Sequence, residues 1–394
     1  MQSSQLRLIV VLGGLSAFGP LSLDLYLPGL PALARDLGAP ASAAQLTLTA
    51  CLAGLALGQL VAGPLSDRYG RRRPLLAGVA LYALTSLLCA AAPSIAVLVG
   101  LRLAQGLAGA AGIVIARAVV RDRLEGDAAA RLFSSLMLVG GLAPILAPIL
   151  GAQLLTVLDW RGIFVVLAGA GLALLVAALA LPESLPPERR RSGGLATVAR
   201  TIRSLAADPG FTSYALCGGF VLGAMFAYIA GSPFVLQDIY GLTPQAFSLA
   251  FAVNGLGIMA AASVNRRLVG RLRPATLLRA GVTQSALGGV LLLTAVLTGA
   301  GGRWGVLAAL FLVVSCVGLV GPNTIALALT RHGEVAGTAS ALLGVIQFLI
   351  GAVAAPLVGI AGDDTAVPMA VTIVVLAVGA VAAERWGRVH TVRG

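Results

Sequence analysis

Charge is what this 394-residue sequence has least of: charged residues make up 11% of it, against 58% apolar. A soluble domain carries roughly 25% charged residues, so most of this surface is not built to face water. Lysine is absent altogether, and the 27 basic residues are all arginine, against 15 acidic ones. A net charge of +12 would suit nucleic acid, but the arginines cluster in short gaps between apolar runs. They have no interleaved aromatics and no recognisable nucleic-acid module around them, which excludes that partner. Histidine and cysteine are scarce too. His332 and His390 lie in a loop and near the C-terminus without a partner cluster, so neither a metal site nor a catalytic triad is expected. Cys51, Cys89, Cys217 and Cys316 fall within apolar runs, without metal-ligand spacing, and read as small packing residues. No Gly-rich phosphate loop is present. The partial dinucleotide fingerprint "GLGIMA" at 255–260 sits mid-run with no strand before it.

What the sequence has instead is length of apolar run. Segments near twenty residues, each able to cross a hydrocarbon core about 30 Å thick, fall at 8–30, 44–64, 74–92, 95–119, 132–156, 162–182, 210–233, 246–264, 276–298, 304–329, 338–360 and 367–384. The first is longer than a signal-peptide core and lacks a clean small-residue cleavage site, so it reads as a retained span. Gaps after odd-numbered spans hold few basic residues, Arg35, Arg161 and Arg303. The alternate gaps and the two ends hold nearly all the rest, among them Arg71–Arg73, Arg189–Arg191, Arg266, Arg267, Arg271 and Arg273. By the positive-inside rule both termini are cytoplasmic. The expected fold is an all-α integral membrane protein of twelve transmembrane helices.

The longest polar stretch, "PESLPPERRRSGG" at 182–194, falls at the midpoint and reads as a cytoplasmic linker. The flanking halves look related. "GRRRPLLAG" follows the second span at 70–78, and "GRLRPATLLRAG" follows the eighth at 270–281. Gly70 and Gly270, Arg71 and Arg271, Arg73 and Arg273, and Pro74 and Pro274 align at one constant offset. Two pseudo-symmetric six-helix bundles follow, 1–182 and 210–394, joined by a basic linker at 183–209. That is the layout of a rocking transporter with a site near mid-membrane.

Several motifs then carry a family resemblance. "GPLSDRYGRRRP" (63–74) resembles the cytoplasmic signature loop of the major facilitator superfamily. "LRLAQGLAGAAG" (101–112) is similar to the fourth-span motif of its proton-coupled drug exporters, and "GGLAPILAPILGAQ" (140–153) to their fifth-span antiporter motif. "LDLYLPGLP" at 23–31, "RAVVRD" at 117–122, the "LPPERR" linker and "AGTAS" at 336–340 resemble the bicyclomycin and chloramphenicol resistance branch. The fifth-span motif departs from its usual Gly-Pro and Gly pair, with Ala147-Pro148 and Gly151-Ala152 in those places. The resemblance implies a multi-pass protein of the bacterial inner membrane, working as a monomer.

In the signature loop, Gly63, Asp67, Arg68, Gly70 and Arg71 are the candidate conformational latch. Gly70 suits a backbone conformation that other residues avoid, and the arginines suit an anionic leaflet. In the family this loop latches through its Asp. On the fifth span Gly140, Gly141, Pro144, Pro148 and Gly151 are expected to bend the helix and to admit close neighbours. Asp24 is the one acid well inside a span, and an intramembrane carboxylate is a functional-site hypothesis by default. It lies about 24 Å along its helix, and Arg102 about 10 Å into the fourth span from the opposite side, so their depths match. Burial favours the protonated form of a carboxylate and a nearby arginine the ionised form; two opposed influences make a proton switch. Pro20 loosens the helix at Ser16. Tyr26, Gln45, Gln59, Arg117, Met225, Phe226, Tyr228, Asn254 and Gln347 are candidate cavity residues, since drug pockets combine apolar walls with a few polar groups.

The expected function is a proton-coupled antiporter exporting small amphipathic antimicrobials, with drug, protons and the bilayer as partners and no cofactor or enzymatic activity. A proton-coupled exporter or importer of an endogenous metabolite on the same fold is the alternative. A non-transporting membrane receptor is the rival from another class.

Overall fold

The computed structural model describes residues 11–123, 126–190, 195–330, 332, 335–360 and 364–391. They are overwhelmingly helical, and no strand occurs among them. Hydrocarbon offers no partner for backbone N–H and C=O groups, so an apolar chain closes those bonds within its own helices. In chain order the helices are α1 (Phe18–Asp24), α2 (Leu30–Asp36), α3 (Ala41–Tyr69), α4 (Arg72–Ala90), α5 (Ile95–Arg123), α6 (Gly126–Leu154) and α7 (Trp160–Leu179). The linker helix α8 (Leu195–Ala207) follows, then α9 (Pro209–Pro233), α10 (Pro244–Leu268), α11 (Pro274–Thr298), α12 (Gly302–Ser315), α13 (Val317–Leu329), α14 (Ala336–Leu357) and α15 (Val367–Thr391).

Ten helical segments among the described residues are long and apolar enough to cross a membrane, with α12 and α13 counting as one. The other two expected spans take different forms. The fifth is α6, which runs through Pro144 and Pro148 and has its apolar stretch at Leu142–Leu154. The first is not a single helix. Residues 11–16 are helical, Ala17 makes a turn, α1 follows, and a short 3-10 turn at Leu27–Gly29 leads into α2. Pro20 has no N–H to give and Pro28 and Pro31 fix the later bend, so the sequence breaks its own helix on both sides of Asp24.

The chain divides into two compact units, Met1–Ala39 with Ala50–Gly193, and Pro40–Thr49 with Gly194–Gly394. In the first, α4 packs on α5 and α7, while α1 packs on α5 and α6. In the second, α9 packs on α14 and α15, and α11 on α12 and α15. Helices in lipid associate through close packing rather than through hydrophobic burial, and small residues do this at matching places. A side chain on Gly106 of α5 would fall on the Cys51 carbonyl of α3, and one on Gly318 of α13 on the Ile258 carbonyl of α10. Large apolar side chains such as Leu57, Leu84, Leu172 and Leu256 face outward, as a lipid-facing surface requires.

Candidate functional site

The most deeply enclosed large side chain of the first unit is an arginine. Arg102 on α5 is fully buried, and its charge is met by dipoles and rings from its own helix, from α1 and the turn after it, and from α7. Its Nη2 donates to the Ser22 carbonyl of α1 at 2.7 Å and its Nη1 to Gln105 Oε1. The guanidinium lies over the Tyr26 ring, 4.5 Å from its centroid, and 5.6 Å from that of Phe164 on α7. Aromatic faces attract cations most where water is excluded. Arg102 and Gln105 are three apart and share one face of α5. Gln105 Nε2 donates to Ser86 Oγ at 2.6 Å, and Ser86 Oγ in turn donates to the Tyr82 carbonyl at 2.7 Å. The Tyr82 hydroxyl bonds Ser22 Oγ at 2.7 Å, and its ring stacks on Phe18 with centroids 4.1 Å apart. A continuous polar network therefore crosses α4, α5 and α1.

Asp24 closes α1 two residues after Ser22 and is 5% exposed. Arg102 meets the α1 segment at the Ser22 carbonyl, two residues before Asp24. Gly151 of α6 lies against the Leu25 carbonyl, where any side chain would collide, so the fifth-span helix reaches the residue next to Asp24. Pro148 is buried and Pro144 half-buried, while the surroundings of Gly140 and Gly141 lie outside the described residues. A second buried acid, Glu384, 6% exposed, lies on α15 seven residues before its end at Thr391.

At the cytoplasmic end of α3 the signature loop forms a second network. Gly70 has φ of 88°, a conformation that side chains disfavour. The turn delivers Arg71, 9% exposed, to a nest of acceptors. Its Nε donates to Asp122 Oδ2 of α5 at 2.9 Å, and its Nη1 to Asp67 Oδ1 and Ser66 Oγ. Partial burial works against the Arg71 charge, but Asp122 and Asp67 outweigh it and raise its pKa. Glu183, just past α7, accepts from the backbone N–H of Arg71 at 2.8 Å and of Arg72 at 3.2 Å. It caps the start of α4 from more than a hundred residues away, where helices leave donors unsatisfied. Burial pushes the Glu183 pKa up, but the N–H groups of Leu185, Arg71, Arg72 and Ser184 together hold it below the ordinary glutamate range. Gly63 is half-buried, and Arg68 is exposed over Tyr69.

The remaining cavity candidates scatter. Asn254 Nδ2 donates to the Tyr228 hydroxyl at 2.9 Å, and Tyr228 stacks on Phe251, so these two do meet inside the second unit. Phe226 is buried against Phe348. Gln45 is buried, Gln59, Met225 and Gln347 are half-buried on separate helices, and Arg117 is exposed. Sequence reading passed over Ser22, Tyr82, Ser86 and Gln105, and it quoted Asp122 and Glu183 without giving them a role. The signal for Gln105 was available: an amide three residues from an arginine inside an apolar run. Glu183 was hidden by distance along the chain. His332 pairs with a single carboxylate, Asp208 Oδ2 at 2.7 Å.

A chain of lipid-facing helices in two compact units, with a buried arginine and a glycine-turned basic loop, defines a membrane transporter rather than an enzyme. The match of residues 12–356 to the Major Facilitator Superfamily model places the chain in that family. Among its relatives, an uncharacterized MFS-type transporter, YdgK, of Bacillus subtilis (strain 168) is 43% identical, covering 95% of this chain and 93% of its own. A bicyclomycin resistance protein homolog of Haemophilus influenzae is 34% identical over 94% and 93% of the two chains. A chloramphenicol resistance protein of Pseudomonas aeruginosa is 31% identical over 98% and 92%. Among solved structures, a bacterial homolog of the human lysosomal transporter Spinster has a TM-score of 0.74 at 15% identity, over 98% of this chain and 95% of that one. A D-xylose-proton symporter has 0.73 at 18%, over 95% and 96%. At such identities the structures speak for the fold alone. The sequence relatives carry the drug-resistance resemblance, and the protein is accordingly a multi-pass transporter of the bacterial inner membrane.

Proposed function

We propose that the protein exports small amphipathic antibiotics, of amphenicol or bicyclomycin type, in exchange for protons. Asp24 is the proton site, and Arg102 is the fixed charge that biases it. The observation that carries this reading is a carboxylate, 5% exposed, two residues from the carbonyl that a fully buried arginine holds. Buried ionisable groups in a membrane are expensive and mark coupling pathways. The resistance names of two relatives support a drug as cargo. Protonation of Asp24 from outside and its release inside accompany drug exit and capture, so the proton gradient alone drives alternating access as a monomer, without a cofactor. Asp67, Gly70 and Arg71 act as the latch of that cycle, and α6 packs tightly to keep protons from leaking.

Everted membrane vesicles with an acidified lumen test this. Adding chloramphenicol or bicyclomycin is expected to release lumenal protons, read with a pH-sensitive dye, in wild type but not in Asp24→Asn. Full drug-driven proton release in well-inserted Asp24→Asn protein refutes the assignment of the proton site. Drug uptake that raises rather than dissipates the gradient makes the protein a symporter.

A further inference from the structure

Along α11, residues Thr276, Arg279, Ala280, Thr283, Gln284 and Leu287 recur at three and four, so they lie on one face. With Leu312 of α12 they line an outward-open groove of about 460 Å³ whose walls are almost wholly apolar. Leu287 is 60% exposed at one end of this face, and Arg279, half-exposed, stands at the other. Arg279 is five residues past Pro274, about 7.5 Å along the helix. The basic loop Arg271–Arg273 immediately precedes it, so its guanidinium sits at the depth of the inner-leaflet phosphates.

That end of the groove is basic, with Arg271, Arg273 and Arg279 close in sequence. Glu384 of α15 gives both oxygens to Arg388 Nη2, at 2.7 and 2.8 Å. Arg279 approaches the same carboxylate only through Nε, at 3.6 Å, and makes no hydrogen bond among the described residues. Arg388 holds both oxygens of the acid, and the donors of Arg279 are left for an outside acceptor. A guanidinium presents five such donors in a fork suited to phosphate.

We propose that this groove holds one inner-leaflet phospholipid with a net-anionic headgroup. Its phosphate sits on Arg279, and an acyl chain runs past Ala280, Thr283, Leu287 and Leu312. A zwitterionic lipid brings its own cation and gains less from Arg279 and the basic loop beside it. The inference is independent of what the protein carries.

The test is native mass spectrometry of the full-length protein in detergent, titrated with phosphatidylglycerol or with phosphatidylcholine of the same acyl chains. A retained phosphatidylglycerol adduct is expected to exceed the phosphatidylcholine one. Arg279→Gln is expected to weaken it about fivefold, the effect of one basic contact at a lipid surface. Leu287→Trp fills the groove and is expected to weaken it as well, whereas Leu256→Trp, on the lipid face of α10, leaves it unchanged. Equal retention of the two lipids, or wild-type retention in both Arg279→Gln and Leu287→Trp, overturns the proposal. So does equal loss in Leu256→Trp. Should Arg279→Gln fail to insert, Leu287→Trp alone decides.

Discussion

Gly70-Arg71-Arg72-Arg73-Pro74 and Gly270-Arg271-Leu272-Arg273-Pro274 turn their chain alike, with φ of 88° and 90° at the two glycines. Their company differs. Arg71 is tucked in among Asp67, Asp122 and Ser66, and Glu183 ties down its backbone. Arg271 is exposed, and at the offset where the first loop has Asp67 the second has Arg267. The same contrast runs deeper into the two units. The first holds Asp24 and Arg102 in its interior; the interior pairs of the second are neutral, Tyr228 with Asn254 and Asn265 with Asn323. Glu384, near the cytoplasmic end of α15, is the buried acid of the second unit. The two turns share a backbone geometry, which depends on one glycine, and differ in chemistry, which depends on several side chains.

The sharpest way to break this contrast is to remove the interior charge. Arg102→Ala leaves the Ser22 carbonyl and Gln105 without their donor and opens a void, and is expected to cost about 3 kcal/mol. Asn254→Ala, which removes a neutral bond, is expected to cost about 1 kcal/mol. Thermal unfolding in detergent should rank them, and equal losses would mean that charge confers no special burden on the first unit. One step smaller is the loop pair. Arg71→Ala strands Asp67 and the largely buried Asp122 and is expected to cost about 2 kcal/mol, whereas Arg271→Ala should fall within about 0.5 kcal/mol of wild type.

Smaller again is the glycine pair. Gly270→Ala is expected to cost about 1 kcal/mol for the left-handed backbone alone, because its surroundings are open. Gly70→Ala should cost more, since the new methyl group meets the Glu183 carboxylate; a reversed order would show that Glu183 does not hold this loop. The smallest effect is one of pH. The folded pKa of Glu183 lies below its unfolded value, so its stabilisation is present above the unfolded pKa and is lost as pH falls through the folded one. The stability advantage of wild type over Glu183→Gln should be full at neutral pH and decline as pH falls below the ordinary glutamate range. An advantage that persists at lower pH would contradict the carboxylate cap.

Much of this molecule was legible as sequence because a membrane writes its constraints locally. Apolar run length marks the spans and arginine placement gives their orientation. A constant offset between two loops reveals the repeat, and a lone aspartate in an oily run announces itself. The helix break around Asp24 was legible only in part. Pro20 signalled it, but the second bend at Leu27–Gly29 depends on how Pro28 and Pro31 combine with α2. The register of α3 against α5 rests on Gly106, whose neighbour, the Cys51 carbonyl, belongs to another helix.

What the sequence by itself determined is the solvent of this protein, its duplicated plan and the identity of its charged residues, since each follows from local composition or short spacing. Only the tertiary structure decided which of those charges meet. Ser22 receives Arg102 across 80 residues and Glu183 caps α4 across more than a hundred. Gly151 settles against Leu25, and Glu384 is buried between Arg279 and Arg388. Such pairings depend on helix packing in three dimensions, where a residue's neighbours are set by the register of adjacent helices rather than by its place in the chain.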